Sequence, residues 1–333
     1  MAKTFIASKS CLRRLAETVR YNLHKINEMS QSIYLIHSLI IVLLTSCNYN
    51  EKKYARNYLD YYEIIHQANY QAFKQNISKA DSLYQTAFKK VEYPFYRDYL
   101  KAAENIKSED QLVFEYLNKA MKAGLDTSKI SSNENFKKFK QSILWIKLKK
   151  QYPKIRKRYL KNLNKELISE LKCMVDMDQY PRQNTNETEL TMAEVDKRNL
   201  ELLLHLINLN GFPGRFSIGE EIAEKFMIMF HHFHPNDNQK YFYMPLMKKM
   251  INGEIYPYRN AAFRDYDRIK TGKYQIYGTY HTYNKGVKTL STVERFDNLD
   301  ILRKQMGLEP IESFLEKNEI IYDPYFDDKC YEY

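Results

Sequence analysis

The chain reads as a mainly α protein: a helical-repeat-like amino-terminal region, then an α-rich carboxy-terminal domain with a small β-hairpin. Three observations carry this reading. Gly and Pro are scarce, at nine each in 333 residues, so helix breakers and tight-turn residues are few. Apolar residues recur at spacings of three and four in several long stretches, as in helices that bury one face. One short stretch, Tyr274–His281, alternates instead, and Asn284-Lys285-Gly286 then offers a hairpin turn before Val287–Val293. A hydrophobic fraction of 44% and a charged fraction of 28% are ordinary for a folded protein, and the length suffices for two domains.

The amino end differs from the rest. Residues 1–46 carry six Lys or Arg (Lys3, Lys9, Arg13, Arg14, Arg20, Lys25) against Glu17 and Glu28. That is four of the eleven net positive charges, which leaves +7 on the remainder. Ile33–Leu44 is the one strongly apolar run, and its twelve residues are too few to cross a bilayer core, which takes about 20. They are enough for the apolar region of a signal peptide. The run closes on Leu44-Thr45-Ser46-Cys47. This resembles the bacterial lipobox, in which small residues precede a cysteine that is diacylated and becomes the mature amino terminus. The resemblance implies a leader over 1–46, a lipidated linker over 47–52, and Cys47 as the acylated residue. Asn48-Tyr49-Asn50-Glu51 follows, with neither an Asp next to the cysteine nor a dense acidic run. By the same resemblance the protein is anchored in the outer membrane, facing the periplasm. Two acyl chains give stable anchoring without a transmembrane helix.

Residues 53–150 read as successive helices. Ala80, Tyr84 and Ala87 are matched by Val113, Leu117 and Ala120 at an offset of 33. This resembles the tetratricopeptide repeat, whose small residues let paired helices pack closely. One unit runs near Tyr62–Tyr93 and a second near Phe95–Gly124, with Gly124 as a helix cap. Two uses remain open for the tyrosines Tyr58, Tyr61 and Tyr62. They line a concave surface for a protein or peptide partner, or they pack against the neighbouring domain.

Over 151–320 a long helix is expected from Pro153 to Met177, with Leu160, Leu163, Leu167, Leu171 and Met174 as one stripe. Asp178 lies at its inward end and Arg182 four residues on, the spacing of an ion pair, although Pro181 disfavours helix between them. Further helices are expected over Met192–Asn210, through Ile222, Phe226, Met229 and Phe230, over Gln239–Asn252, and over Pro257–Lys270, which bears Asp265, Asp267 and Arg268. Residues 321–333 are left as a tail. In a strand over Tyr274–His281, Gln275, Tyr277, Thr279 and His281 would share one face, either lining a polar pocket or facing solvent.

Several chemistries are disfavoured. His231-His232-Phe233-His234 invites a metal, but H-E-x-x-H is absent and three ligands from one helix end rarely close a tetrahedron, so neither metal nor other cofactor is assigned. No C-x-x-C occurs among the four cysteines. Cys173 reads as a core thiol, with pairing to Cys330 the alternative. Clusters such as Lys147–Lys150 and Lys154–Arg158 look like solvated helix faces, and with no reader motif nucleic acid is not an expected partner. There is no P-loop and no G-x-S-x-G.

The order Asp178-Gln179-x-x-Arg182, Gly211-x-Pro213, His231-His232, Asp267-Arg268 and Gln275-x-Tyr277-Gly278-Thr279, closing on Val293-Glu294, Asp300, Arg303 and Gly307-Leu308, resembles an uncharacterised bacterial family of unknown function. It covers roughly residues 160–318. The resemblance implies no activity, but it implies that Asp178, Gln179, Arg182, one histidine, Asp267, Arg268 and Gln275 belong to one site. Pro181 inside the first motif and Tyr280 after Gly-Thr depart from that pattern. The expectation is a lipid-anchored binding or assembly module. Its alternative is a hydrolase acting on an anionic envelope substrate through an Asp/His/Arg cleft.

Overall fold

The computed structural model describes residues 51–106, 109–183, 191–284 and 286–327; the leader, Cys47 and Cys330 lie outside them. The protein is mainly α with one two-stranded antiparallel hairpin. Among the described residues no helix is long and apolar enough to cross a membrane.

Helix α1 (Glu51–Phe73) packs on α2 (Ile77–Lys90), and α3 (Tyr96–Asn105) packs on α4 (Asp110–Lys122). Both sets of repeat positions are buried: Ala80, Tyr84, Ala87 and Val113, Leu117, Ala120. On α1, Tyr58, Tyr61, Tyr62, Ile65, Ala68 and Ala72 recur at spacings of three and four and are all buried. The three tyrosines therefore do not line an open surface. Their phenol oxygens reach partners that a wholly apolar helix face could not hold: Tyr61 donates to Asp98 Oδ2 at 2.5 Å and Tyr62 to the Met250 carbonyl at 3.0 Å. Their core continues into the second region through Met250, Ala261, Tyr277, Met306 and Leu308.

After the short α5 (Thr127–Ser131), α6 runs over Ile143–Lys161 and α7 over Lys165–Gln183. The single helix expected over Pro153–Met177 is thus two. The break falls at Asn162–Asn164 because Asn164 supplies a local alternative to helix: its Oδ1 accepts from Leu167 N at 3.0 Å, and its own N–H donates to the Ser217 carbonyl at 2.8 Å. Leu167, Leu171 and Met174 stay buried, whereas Leu160 is exposed. Pro181 does not end α7, which runs through to Gln183.

Helix α8 (Met192–Asn210) starts at a reciprocal Thr191/Glu194 capping box and stops at Gly211, whose φ is +72°. Two short helices, α9 (Arg215–Ile218) and α10 (Glu220–Lys225), lead into a 3₁₀ segment over Phe226–His231. Ile222, Phe226, Met229 and Phe230 are buried as one stripe. After α11 (Pro235–Asp237) and a π-helical turn over Asn238–Phe242 come α12 (Tyr243–Ile251) and α13 (Pro257–Lys270).

The stretch Tyr274–His281 is not a strand. Among the described residues the one hairpin is β1 (His281–Asn284) paired with β2 (Val287–Leu290), His281 opposite Leu290, and Tyr274–His281 contributes before it only a single bridge from Gln275 to Val293. The Asp265 carboxylate on α13 explains the difference. It accepts from the backbone N–H of Ile276, Tyr277 and Thr279 at 2.8, 3.0 and 3.1 Å, and from Thr279 Oγ1 at 2.8 Å. Those donors are folded around one anion and cannot join a ladder. Beyond α14 (Leu299–Gln305) and α15 (Ile311–Asn318), Ile321 exchanges backbone hydrogen bonds with Lys288 and Leu290, so the expected tail begins as a partner of β2. Cys173 is disulfide-bonded rather than a free core thiol.

Gly253, at the start of the α12–α13 loop, has φ +68° and lies against the ring of Tyr58, where a Cβ would collide with carbon atoms of that ring. Left-handed backbone strain of about 1–3 kcal/mol and overpacking of about 1–3 kcal/mol then act together. Gly253→Ala should lower the unfolding free energy by at least about 2 kcal/mol in urea. Gly272→Ala, at φ +72° with open space around it, should lose only the backbone part.

Candidate functional site

The first cluster of polar residues is built by α7, α8 and the end of the 3₁₀ segment. Asp178 is fully buried. Its Oδ1 accepts from His232 Nδ1 at 2.8 Å and lies 3.3 Å from Arg182 Nη1. Its Oδ2 accepts from Gln179 Nε2 at 2.5 Å. Arg182 also donates from Nη1 to the Asp178 carbonyl and from Nη2 to Asp196 Oδ1, both at 2.5 Å. The four-residue spacing of Asp178 and Arg182 is what brings them together on one helical face. Asp196, on α8, was not singled out from the sequence. Its one signal is its place beside Val195, on a helix whose buried face is Val195, Asn199, Leu203 and Leu206.

In chemical terms the cluster is a carboxylate-oriented imidazole with a guanidinium beside it. Asp178 holds Nδ1 of His232, which leaves Nε2 of a ring that is 20% exposed as the atom able to exchange a proton. Ligand atoms of Asp178, Asp196 and His232 lie within 4.8 Å of one another, a donor set that suits a divalent cation. Arg182 already places a cation against both carboxylates.

The three histidines do three different things. His232 joins Asp178, whereas His231 packs edge-on to Tyr266 with ring centroids 5.1 Å apart. Burial, assisted by His232, Arg259 and Lys270, pushes the His231 imidazole down to about 4. His234 caps α11, its Nδ1 accepting from Asn236 N at 3.2 Å.

The remaining candidates lie in other networks. Asp267 accepts from Asn238 Nδ2 at 3.1 Å and Tyr243 Oη at 3.0 Å, and burial raises it to about 6. Asn238 also donates to the Phe230 carbonyl at 2.7 Å, so this network touches the backbone just before the histidines. Arg268 turns away from Asp267, to the Tyr274 carbonyl at 2.7 Å and Glu294 at 2.5 Å. Gln275, Tyr277 and Thr279 belong to the Asp265 loop. There Gln275 bonds the backbone of Tyr280 and Ser291, and buried Arg303 donates to the Tyr277 carbonyl at 2.5 Å. The one-site expectation is therefore corrected: Asp178, Gln179, Arg182 and His232 converge, while Asp267, Arg268, Gln275, Tyr277 and Thr279 brace the fold around Asp265 and Asn238. His281, on β1, is exposed.

A second feature was not foreseen. An open cavity of about 540 Å³ lies where α4 and α6 meet α9 and the loop after α2. Lys119, Lys122 and Arg158 stand at its sides, and Tyr93, Tyr159 and Phe216 supply aromatic surface. Arg215 and Glu220 lie at its buried end. These residues come from four separated stretches of chain, so no local motif announces them.

The chain matches no family model, no curated protein and no solved structure.

Proposed function

We propose that the protein is an exported, lipid-anchored binding module of the bacterial envelope, held by acylated Cys47 and facing the periplasm from the outer membrane. The cavity between the first helices and the second region carries the binding part of this reading. Its volume falls within the ~300–1,000 Å³ usual for small-molecule sites. Its aromatic surface is open, with Tyr93 54% and Phe216 45% exposed. The apolar run and Thr45-Ser46-Cys47 support the anchoring part. By contrast, the early tyrosines are spent on packing and offer no separate peptide surface.

A second reading rests on the Asp178–His232 contact. His232 Nε2 would take a proton from water as that water's oxygen attacks a carbonyl or phosphoryl centre, then return it to the leaving group, with Asp178 stabilising the imidazolium. Asp178 would orient the ring and not touch substrate.

Three results are expected. Native mass spectrometry of the full chain extracted from membranes should show a bound small molecule that is lost in Ala123→Trp, which fills the cavity. Persistence of that molecule in the variant would remove the cavity from function. Metabolic labelling with palmitate should disappear in Cys47→Ala, and the protein should leave the membrane fraction; retained label would end the anchoring reading. For the second reading, turnover of aryl ester or aryl phosphate probes should fall about 100-fold or more in His232→Asn, as loss of a general base requires. Turnover unchanged in that variant would eliminate it.

A further inference from the structure

We infer that the cavity binds a small amphiphilic anion: an aromatic or acyl body carrying a phosphate or carboxylate group. This rests on the reading of the cavity as a binding site and adds the class of ligand.

Charge carries the argument. Arg215 is only 6% exposed, and a buried guanidinium is normally matched by a carboxylate. This one is matched by neutral acceptors. Its Nε donates to the Gly253 carbonyl at 2.5 Å, its Nη1 to the Pro94 carbonyl at 3.1 Å, and its Nη2 to Tyr58 Oη at 3.0 Å and to the Tyr93 carbonyl. The guanidinium also lies over Phe95 at 3.8 Å and Phe216 at 4.8 Å. Carbonyls and π faces make a buried cation tolerable, but they do not cancel its charge at the cavity wall. Glu220, on the same wall, does not cancel it. Its carboxylate is engaged by Tyr96 N and Arg97 Nε, both at 2.9 Å, and Arg97 also reaches Glu224 at 3.1 Å.

The sides repeat the pattern. Lys119 and Lys122 are three residues apart on α4, and Arg158 stands across from them on α6. None of the three forms an ion pair with a described residue, whereas many other cations of the fold do, such as Arg97, Arg182 and Lys249. Glu92 is the one other carboxylate among the described lining residues and is exposed. Four cations therefore line a half-enclosed, low-dielectric space against two described carboxylates, of which Glu220 is already paired with Arg97. Such walls focus a positive potential inside.

Shape supplies the other half. Tyr93 and Phe216 meet edge to face at 5.5 Å and stay exposed, while Tyr99, Ile155 and Leu163 continue the apolar surface inward. A neutral glycan would leave the cations unused, and a metal ion would be repelled by them. A ligand with an apolar body and an anionic head uses both surfaces.

The test is calorimetric titration of the full chain in phosphatidylcholine nanodiscs, with empty nanodiscs subtracted. The probes are 2-naphthyl phosphate and its neutral counterpart 2-naphthyl glucoside. The phosphate should bind at least tenfold more tightly, and raised salt should shrink the difference. The triple variant Lys119→Gln, Lys122→Gln, Arg158→Gln changes exposed side chains only. It should lose most of that preference while its binding of the glucoside is unchanged. Equal affinity for the two probes, or a preference untouched by the triple variant, overturns the anion inference and leaves the cavity standing. Binding of neither probe, or binding unaffected by Ala123→Trp, overturns both.

Discussion

The architecture depends on burying the Arg215 guanidinium between the two halves of the chain. Its donors tie the loop after α2 (Tyr93 and Pro94), the first helix (Tyr58) and the α12–α13 loop (Gly253) to α9. The four acceptors belong to three separate stretches, so the interaction can form only when all three are in place around α9. Glu220, five residues on, does the converse with Tyr96 N and Arg97. A cation and an anion from one short segment are thus both solvated mainly by the first helices, with Gly253 of the second region completing the cation's shell. Desolvating either without its partners would cost several kcal/mol. This constraint makes the first helices an integral part of the fold, and it fixes four residues of the cavity wall: Arg215, Glu220, Tyr93 and Pro94.

Much of the helical layout was legible in the sequence where local chemistry and periodicity agree. Met192–Asn210 and Pro257–Lys270 match the expected limits because their ends carry their own signals: Thr191 with Glu194, Gly211, and a proline at the first turn. The fold departs from that reading where one side chain overrides the pattern. Asn164 cuts a continuous leucine stripe by capping the next helix. Asp265 gathers three N–H groups that an alternating sequence had assigned to a strand. Neither effect shows in periodicity, because both depend on which group a short polar side chain meets after folding.

The candidate site was legible in the same partial way. Asp178 and Arg182 could be paired from a spacing of four on one helix, and one histidine was joined to them only through the resemblance in motif order. Which histidine it was could not be read, since neighbouring residues on a tight 3₁₀ turn point in different directions: His232 to Asp178, His231 to Tyr266. Asp196 and the cavity were illegible for a simpler reason. They arise from helices brought together across long intervals of chain, and no single interval carries a motif.

The polar groups of this fold divide by whether their charge is already answered. Asp178 has three donors, one of them a guanidinium that also serves Asp196. Asp265 has four, and Glu220 has a backbone N–H and an arginine. In such networks a ligand must displace a good internal partner to gain one of its own, and the net gain is small. Lys119, Lys122 and Arg158 are the reverse case: no described carboxylate pairs with them, and they are exposed beside open, partly apolar space, with the buried charge of Arg215 behind them. An arriving anion displaces only water there. On energetic grounds the cavity is where this molecule has most to gain from a ligand, and the Asp178 cluster, if it acts, does so through the one ring nitrogen its network leaves over.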